Sequence, residues 1–437
     1  MRDLLLVSLL PLFVYFSFKR PFIAAGLWLW TSAFNINHLV YGFASSITYN
    51  RLFAITAMLS YFISKNKPKF TLDKLSILIL FFFFWTTLTS YMGGASENTM
   101  WTRWSEFMRI ILFYCFAIAI LERKRHLDFI MWLLVLSIGA LAAGEGLKFL
   151  VSGGGHRIGG LRGITGDNNF FAVMILSMLP MGFYLVTQTK HKLIKQGLFI
   201  VMFLDILGLI STYSRSGFIG LAVLIVFAIK SSKNKFIWIV TLAIIIFLGM
   251  NFLPEEWFGR MDTVENAEDD GSFMHRVVVW KMCIVIALNN PLFGEGFKAI
   301  ENLSLWQHYY SDFHLVSFIP SPEPLFYEPI RAAHSIYFQV LSSHGFVGLF
   351  LFLLILFSAY MKIGSITRRA KKYKMDDWVF TLLAMLRISI IVYSLSGGTV
   401  SVAYFDFLYA IFAIIYVLDN RIVIDTNNKA EEVRYGV

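Results

Sequence analysis

His334 heads the stretch HSIYFQVLSSHGFVGLFLFLLIL (334–356), an ionisable ring set directly before a membrane-length apolar run. Imidazole titrates near neutrality and can take a proton from an incoming hydroxyl. Arginines recur in the segments leading up to it. They are Arg157 and Arg162 in HRIGGLRGITGDNN, Arg215 in STYSRSG, Arg260, Arg276 beside His275 in MHRVVVW, and Arg331 just before His334. A guanidinium fork matches phosphate oxygens two at a time. Any one of these arginines could simply snorkel, its stem in lipid and its head in water. As a set around a histidine they fit a bound phosphate or pyrophosphate beside a proton acceptor.

The elements that must position them are membrane helices. Of 437 residues, 57% are hydrophobic and 15% charged, against roughly 25% charge in a soluble domain. The net charge of +10 is not a nucleic-acid signature, because the basic residues fall in short clusters between apolar runs. A span needs roughly 20 apolar residues. Runs suited to spans lie near 3–18, 20–36, 51–64, 74–92, 103–121, 127–150, 167–188, 195–213, 216–230, 235–253, 334–361, 377–395 and 399–418. The run 51–64 is short, and the first two suit a hairpin around Lys19-Arg20-Pro21, so the count is about twelve or thirteen. The expected fold is therefore an all-α polytopic membrane bundle.

Basic clusters fix its orientation. Lys19/Arg20, Lys65/Lys67/Lys69, Arg123/Lys124/Arg125, Lys190/Lys192/Lys195, Lys230/Lys233/Lys235 and Arg368/Arg369/Lys371/Lys372 occupy every second loop. Those loops are cytoplasmic, and the arginines around His334 then share the outer side, where arginine is normally scarce. Twelve spans put the N-terminus inside and thirteen put it outside; both remain open. The expected division is an N-terminal bundle over 1–253, an outer loop with short surface helices over 254–333, C-terminal helices over 334–418 and a cytoplasmic tail over 419–437.

Three motifs refine the outer side. In GGLRGITGDNNFFA, Asp167 or Asn168 can cap a helix whose N-terminus favours an anion; an ordinary glycine loop with an ordinary cap would read the same. In TYSRSG, Ser214 and Ser216 suit helix packing, a role that leaves Arg215 unexplained. The apolar body of MHRVVVWKMCIVIALNNPLFGEGF (274–297) is too short to span, and reads as a helix on the outer membrane surface led by His275 and Arg276. Deeper in its span, His344 suits a packing or polar-contact role. Cys115 and Cys283 offer no disulfide framework.

SRSG (214–217), HRVVVWKMCIVIALNNPLFGEGF (275–297) and HSIYFQVLSSHGFVGL (334–349) together resemble the O-antigen ligase and polymerase superfamily of bacterial envelope glycosyltransferases. The opening MRDLLLVSLLPLFVYFSFKRPF and the following LWLWTSAFNINHLVYGFA resemble its exosortase-associated O-glycosylation ligases. The resemblance implies a GT-C-like helical fold with a large periplasmic loop, in the bacterial inner membrane, with its site facing the periplasm. It implies transfer of a glycan from a polyprenyl (undecaprenyl) pyrophosphate carrier, foremost by O-antigen ligation onto lipid A–core in lipopolysaccharide biosynthesis. A protein hydroxyl or a growing glycan would be the alternative acceptors. Carried over by motif, Arg215 and Arg276 are pyrophosphate ligands, Arg162 matches less tightly, and His334 is the catalytic histidine. His275, Arg331 and Asn168 are further candidates. Ser335 stands where the family often has Asn, which bears on how the acceptor is oriented. A transporter or flippase of the same lipid-linked glycan ranks last, because polar positions crowd one side and no repeat is seen.

No cofactor is expected, and no metal. HExxH and DxD patterns are absent, and ENAEDDG (265–271), whose carboxylates could hold a divalent cation, reads as an exposed acidic loop. Activity is therefore expected to survive chelation. Loss of transfer in EDTA, restored by magnesium or manganese, would overturn that reading.

Overall fold

The computed structural model describes residues 2–424 except 35, 39, 41, 66, 69, 159–166, 232–270 and 328–331. Arg162, Arg260, Arg331, the run 235–253 and the acidic loop up to Asp270 lie outside the described residues. Fourteen α-helices and no strand occur among the described residues. The first nine are α1 (Arg2–Lys19), α2 (Pro21–Phe34), α3 (Tyr49–Ile63), α4 (Lys74–Met92), α5 (Glu97–Ile120), α6 (Lys124–Val151), α7 (Asn168–Gln188), α8 (Lys192–Ile210) and α9 (Arg215–Ser231). Then follow α10 (Gly271–Asn289), α11 (Leu303–Tyr309), α12 (Ile336–Lys372), α13 (Asp377–Ser396) and α14 (Asp406–Val417).

Six helices among the described residues are long and apolar enough to cross a membrane: α4, α6, α7, α8, α12 and α13, the last reaching Thr399. Large apolar side chains stay exposed on them, such as Phe84 on α4, Leu193 and Ile200 on α8 and Phe357 on α12. Such faces suit lipid. Helices α1 and α2 are shorter and apolar. They meet at Arg20, as the Lys19-Arg20-Pro21 hairpin requires, with Pro21 at the first helical position where its missing N–H costs nothing. Helix α5 is long enough but carries Arg103, Glu106 and Arg109 in its N-terminal half. Asp73 caps α4 by accepting from the Ser76 amide at 2.7 Å. Toward the C-terminal end of α12, Lys362 lies between Asp73 and Asp419, 2.9 Å from the latter, and Arg369 pairs with Asp419.

Close approach is set by small residues. A Cβ on Gly146 of α6 would stand 1.9 Å from the Leu204 carbonyl of α8, and one on Gly208 2.3 Å from that of Ala142. Only hydrogen there lets the two backbones touch.

Helix α12 is broken at Gly345, with φ 67° and ψ −171°, a region open essentially only to glycine. The turn Pro291–Gly296 enters the break. Phe346 N donates to Pro291 O at 2.8 Å, Glu295 N to Ser342 O at 3.1 Å, and Gly296 N to Ser343 O at 2.9 Å. Glu295 in turn accepts from Gly94 N at 2.6 Å and from the Tyr309 hydroxyl at 2.5 Å. Burial, then the Glu295 carboxylate, pushes Tyr309 above the ordinary phenol range, so it remains a donor. His344 is fully buried beside the break, its Nδ1 2.6 Å from Thr89 Oγ1. That is the polar-contact role read from the sequence.

The same interlock changes one expectation. The helix expected on the membrane surface forms as α10, but Val279, Met282, Cys283 and Ile286 are buried in the protein core. Its apolar side is taken by protein. Gly345→Ala should lower stability by ~1–3 kcal/mol from the backbone conformation alone. Overlap adds to this, because the new Cβ would sit 2.5 Å from Leu292 O. Thermal unfolding in detergent checks this; an unchanged melting temperature would show that the break is not needed.

Candidate active site

Three helices begin at one place. The Asp167 carboxylate caps α7, accepting from Asn169 N at 2.8 Å and Asn169 Nδ2 at 2.9 Å. Asn169 Oδ1 accepts from Ser214 Oγ at 2.7 Å, and Asn168 Nδ2 donates to Thr212 O at 2.7 Å. The turn between α8 and α9 is thereby stitched to the start of α7. Tyr213 within it is held at φ 52°, and α9 begins at Arg215. Ser214 and Ser216, read as packing residues, are hydrogen-bonded to each other at 2.9 Å.

The third start is that of α12. Ser335, not His334, is its N-cap, accepting from Tyr337 N at 3.3 Å. His334 sits just outside at φ 46°, a conformation uncommon for a residue with a Cβ. Its Nδ1 lies 3.7 Å from Asp167 Oδ2, and the two side chains are 31% and 33% exposed, so the pair is open to an entering molecule. Tyr337 OH donates to Ser394 O at 2.8 Å, which braces α12 on α13.

Helix α10 joins through Trp280, whose Nε1 donates to Ala333 O at 2.7 Å and whose indole stacks on Phe338 with centroids 5.1 Å apart. Arg276 precedes Trp280 by four residues and so shares that face of the helix. His275, its neighbour, is half-buried.

Helix starts carry unpaired N–H groups and the positive end of the dipole. The junction of α7, α9 and α12 therefore favours an anion even before the arginines are counted. Of the residues singled out in sequence, the fold gathers Asn168, Arg215 and His334 at this junction and ties the helix of Arg276 to it. Asn168 serves there by holding the Thr212 carbonyl. Asp167 had been read only as a cap; its second role, facing His334, was not visible. Among the described residues no group of three or more His, Cys, Asp or Glu could hold a metal ion.

Fold and site together define a multi-pass helical membrane protein with an anion-favouring junction at one end of its bundle. Residues 200–353 match the O-Antigen ligase family model, and that match supports the O-antigen ligase superfamily. The match supports an O-antigen ligase/polymerase-type, glycosyltransferase-like function in general, with a lipid-linked glycan and an acceptor as partners. Residues 1–190 match a family of unknown function (DUF5935). No curated protein matches the chain. Arg215, Arg276 and His334 fall in the first matched segment and Asp167 in the second, so the Asp167–His334 contact joins the two.

Asp167→Ala removes the α7 cap and should cost about 0.5–2 kcal/mol. Asp167→Asn keeps an acceptor for the Asn169 amide and should unfold close to wild type while transfer falls. Thermal unfolding run beside a transfer assay separates these roles. Full transfer by the Asn variant would remove Asp167 from the site.

Proposed function

We propose that the chain is a metal-independent, inverting glycosyltransferase that moves a glycan from an undecaprenyl pyrophosphate carrier to an acceptor hydroxyl. The observation that carries this reading is the Asp167–His334 pair at the common start of α7, α9 and α12, with Arg215 opening α9. The acceptor we assign is lipid A–core, which makes the chain an O-antigen ligase. The N-terminal resemblance to O-glycosylation ligases favours a protein hydroxyl as the alternative, and the polymerase reading uses the same machinery.

In this reading Asp167 orients His334 from its Nδ1 side, and Nε2 accepts the proton of the attacking hydroxyl. The acceptor oxygen bonds to the anomeric carbon as the carbon–oxygen bond to the pyrophosphate breaks. The departing polyprenyl pyrophosphate keeps the electron pair. Arg215, Arg276 and the helix starts hold its charge, the kind of preorganised stabilisation that needs no rearrangement at the moment of reaction. Attack opposite the leaving group inverts the centre. The chain crosses the inner membrane about twelve or thirteen times, with the division 1–253, 254–333, 334–418 and 419–437. Its site faces the periplasm.

Arg215→Ala and Arg276→Ala should each abolish or severely reduce transfer at normal expression. Lysine should rescue only partly, because a point charge does not reproduce the fork. Wild-type turnover in both alanine variants would sink the assignment. His334→Ala should keep carrier binding and lose about 10²–10⁴-fold in transfer. Wild-type transfer should also decline on acidification, since imidazolium accepts no proton. A binding assay with carrier-linked glycan beside a transfer assay decides the role. Joint loss of binding and transfer would make His334 a carrier ligand instead.

A further inference from the structure

A cavity of about 480 Å³ opens between α2, α3, the N-terminal half of α5 and the loop joining α13 to α14. That volume is within the range of small-molecule sites. Its charges balance: Arg103 and Arg109 face it together with Glu106 and Asp406. Arg103 Nη1 lies 2.5 Å from Glu106 Oε2, and Asp406 Oδ1 accepts from Ser32 Oγ at 2.6 Å. Two cations matched by two carboxylates do not favour an anion. They offer donors and acceptors in equal supply, which suits a neutral, hydroxyl-rich ligand.

Two further features point to such a ligand. Tyr404 is 6% exposed, and its hydroxyl finds no protein partner among the described residues; Ser401 Oγ on the same wall is likewise buried and unpartnered. Buried hydroxyls are normally paired, and both of these belong to residues that line the cavity. Phe170 and Phe405 line it as well, ring centroids 5.2 Å apart, and give it apolar faces of the kind that pack on the C–H side of a sugar ring.

Its position ties it to the candidate site. Phe170 is three residues from Asp167, within one helical turn on α7. The loop that carries Tyr404 is fastened to α12 where Ala403 N donates to Gln339 Oε1 at 3.2 Å, five residues beyond His334. We infer that this cavity is the acceptor subsite, binding the uncharged end of a glycan so that one of its hydroxyls reaches His334. Tyr404, Ser401 and the arginine–carboxylate set hold the sugar, and Phe170 forms the wall it shares with the start of α7.

The inference rests on the glycosyltransferase reading, but binding tests it without turnover. Envelope oligosaccharides freed from lipid by mild acid, divided into neutral and phosphorylated fractions, are titrated calorimetrically into the full chain in phospholipid nanodiscs. The neutral fraction should bind wild type and His334→Ala alike. Tyr404→Phe, which removes one hydroxyl and keeps the ring, should weaken binding about five- to tenfold with an unchanged melting temperature. Arg109→Gln should weaken it at least as far. The subsite is overturned if the neutral fraction fails to bind wild type or if both variants bind it like wild type. Tighter binding of the phosphorylated fraction would overturn it too, making the cavity an anion site. Saccharide binding by a wild-type chain that transfers nothing from carrier-linked glycan would defeat the transferase reading alone.

Discussion

A helix broken inside a membrane protein must have its freed amides and carbonyls paired, because lipid supplies neither donors nor acceptors. At Gly345 that pairing comes from the turn Pro291–Gly296. Much of the architecture around α10, α11 and the start of α12 follows from this. The turn cannot leave the break without exposing backbone on both partners, so the chain on either side of it is held against the bundle. Upstream, α10 is forced to bury its apolar side in protein and brings Trp280 under Ala333. Downstream, α11 is held through Tyr309 to Glu295. The segment just before α12 is then pinned between Trp280 and the Ser335 cap, which leaves His334 little freedom.

That confinement explains the conformation of the histidine. A residue with a Cβ at φ 46° persists only where its surroundings over-determine it. Here the Ala333 carbonyl is taken on one side and the Ser335 cap is engaged on the other. Tyr213, at φ 52°, is in the same position in the turn before Arg215. Two strained residues thus precede two helix starts that meet a third. The polar stitches among Asn168, Asn169, Thr212 and Ser214 hold those starts together, so their dipoles add where an anion would rest.

Much of this was legible in the sequence, for identifiable reasons. Apolar runs of membrane length and alternating basic clusters are one-dimensional signals. Most described helices accordingly begin and end close to the expected runs, though α5 begins at Glu97 rather than 103 and α12 continues to Lys372 beyond 361. The Asp167 cap was readable because a cap is local. The Asp167–His334 contact was not, since it joins residues 167 positions apart across two helix starts. Gly345 is one small residue inside the run 334–361, and φ leaves no trace in composition. Helix α10 looked amphipathic whichever way its apolar face turned; only its partner decides between lipid and protein. On α5 the polar residues at 103, 106 and 109 share a face, yet the apolar second half of the helix hid them in a hydropathy reading.

Three charge arrangements among the described residues have different consequences. At the start of α4, Lys362 and Arg369 are met by Asp73 and Asp419, so opposite charges fasten α4, α12 and the end of α14 together. In the cavity between α2, α3 and α5, two arginines are matched by two carboxylates, which leaves hydrogen-bonding capacity without a strong field. At the junction of α7, α9 and α12 the helix starts and Arg215 have the same sign, and the Asp167 carboxylate is turned to its cap and to His334. A pyrophosphate would gain from the last arrangement and a neutral sugar from the second. The Asp167–Phe170 turn of α7 has one end in each. A donor charged at its leaving group and an acceptor uncharged at its nucleophile can therefore be drawn to opposite sides of one helix start, with the imidazole between them.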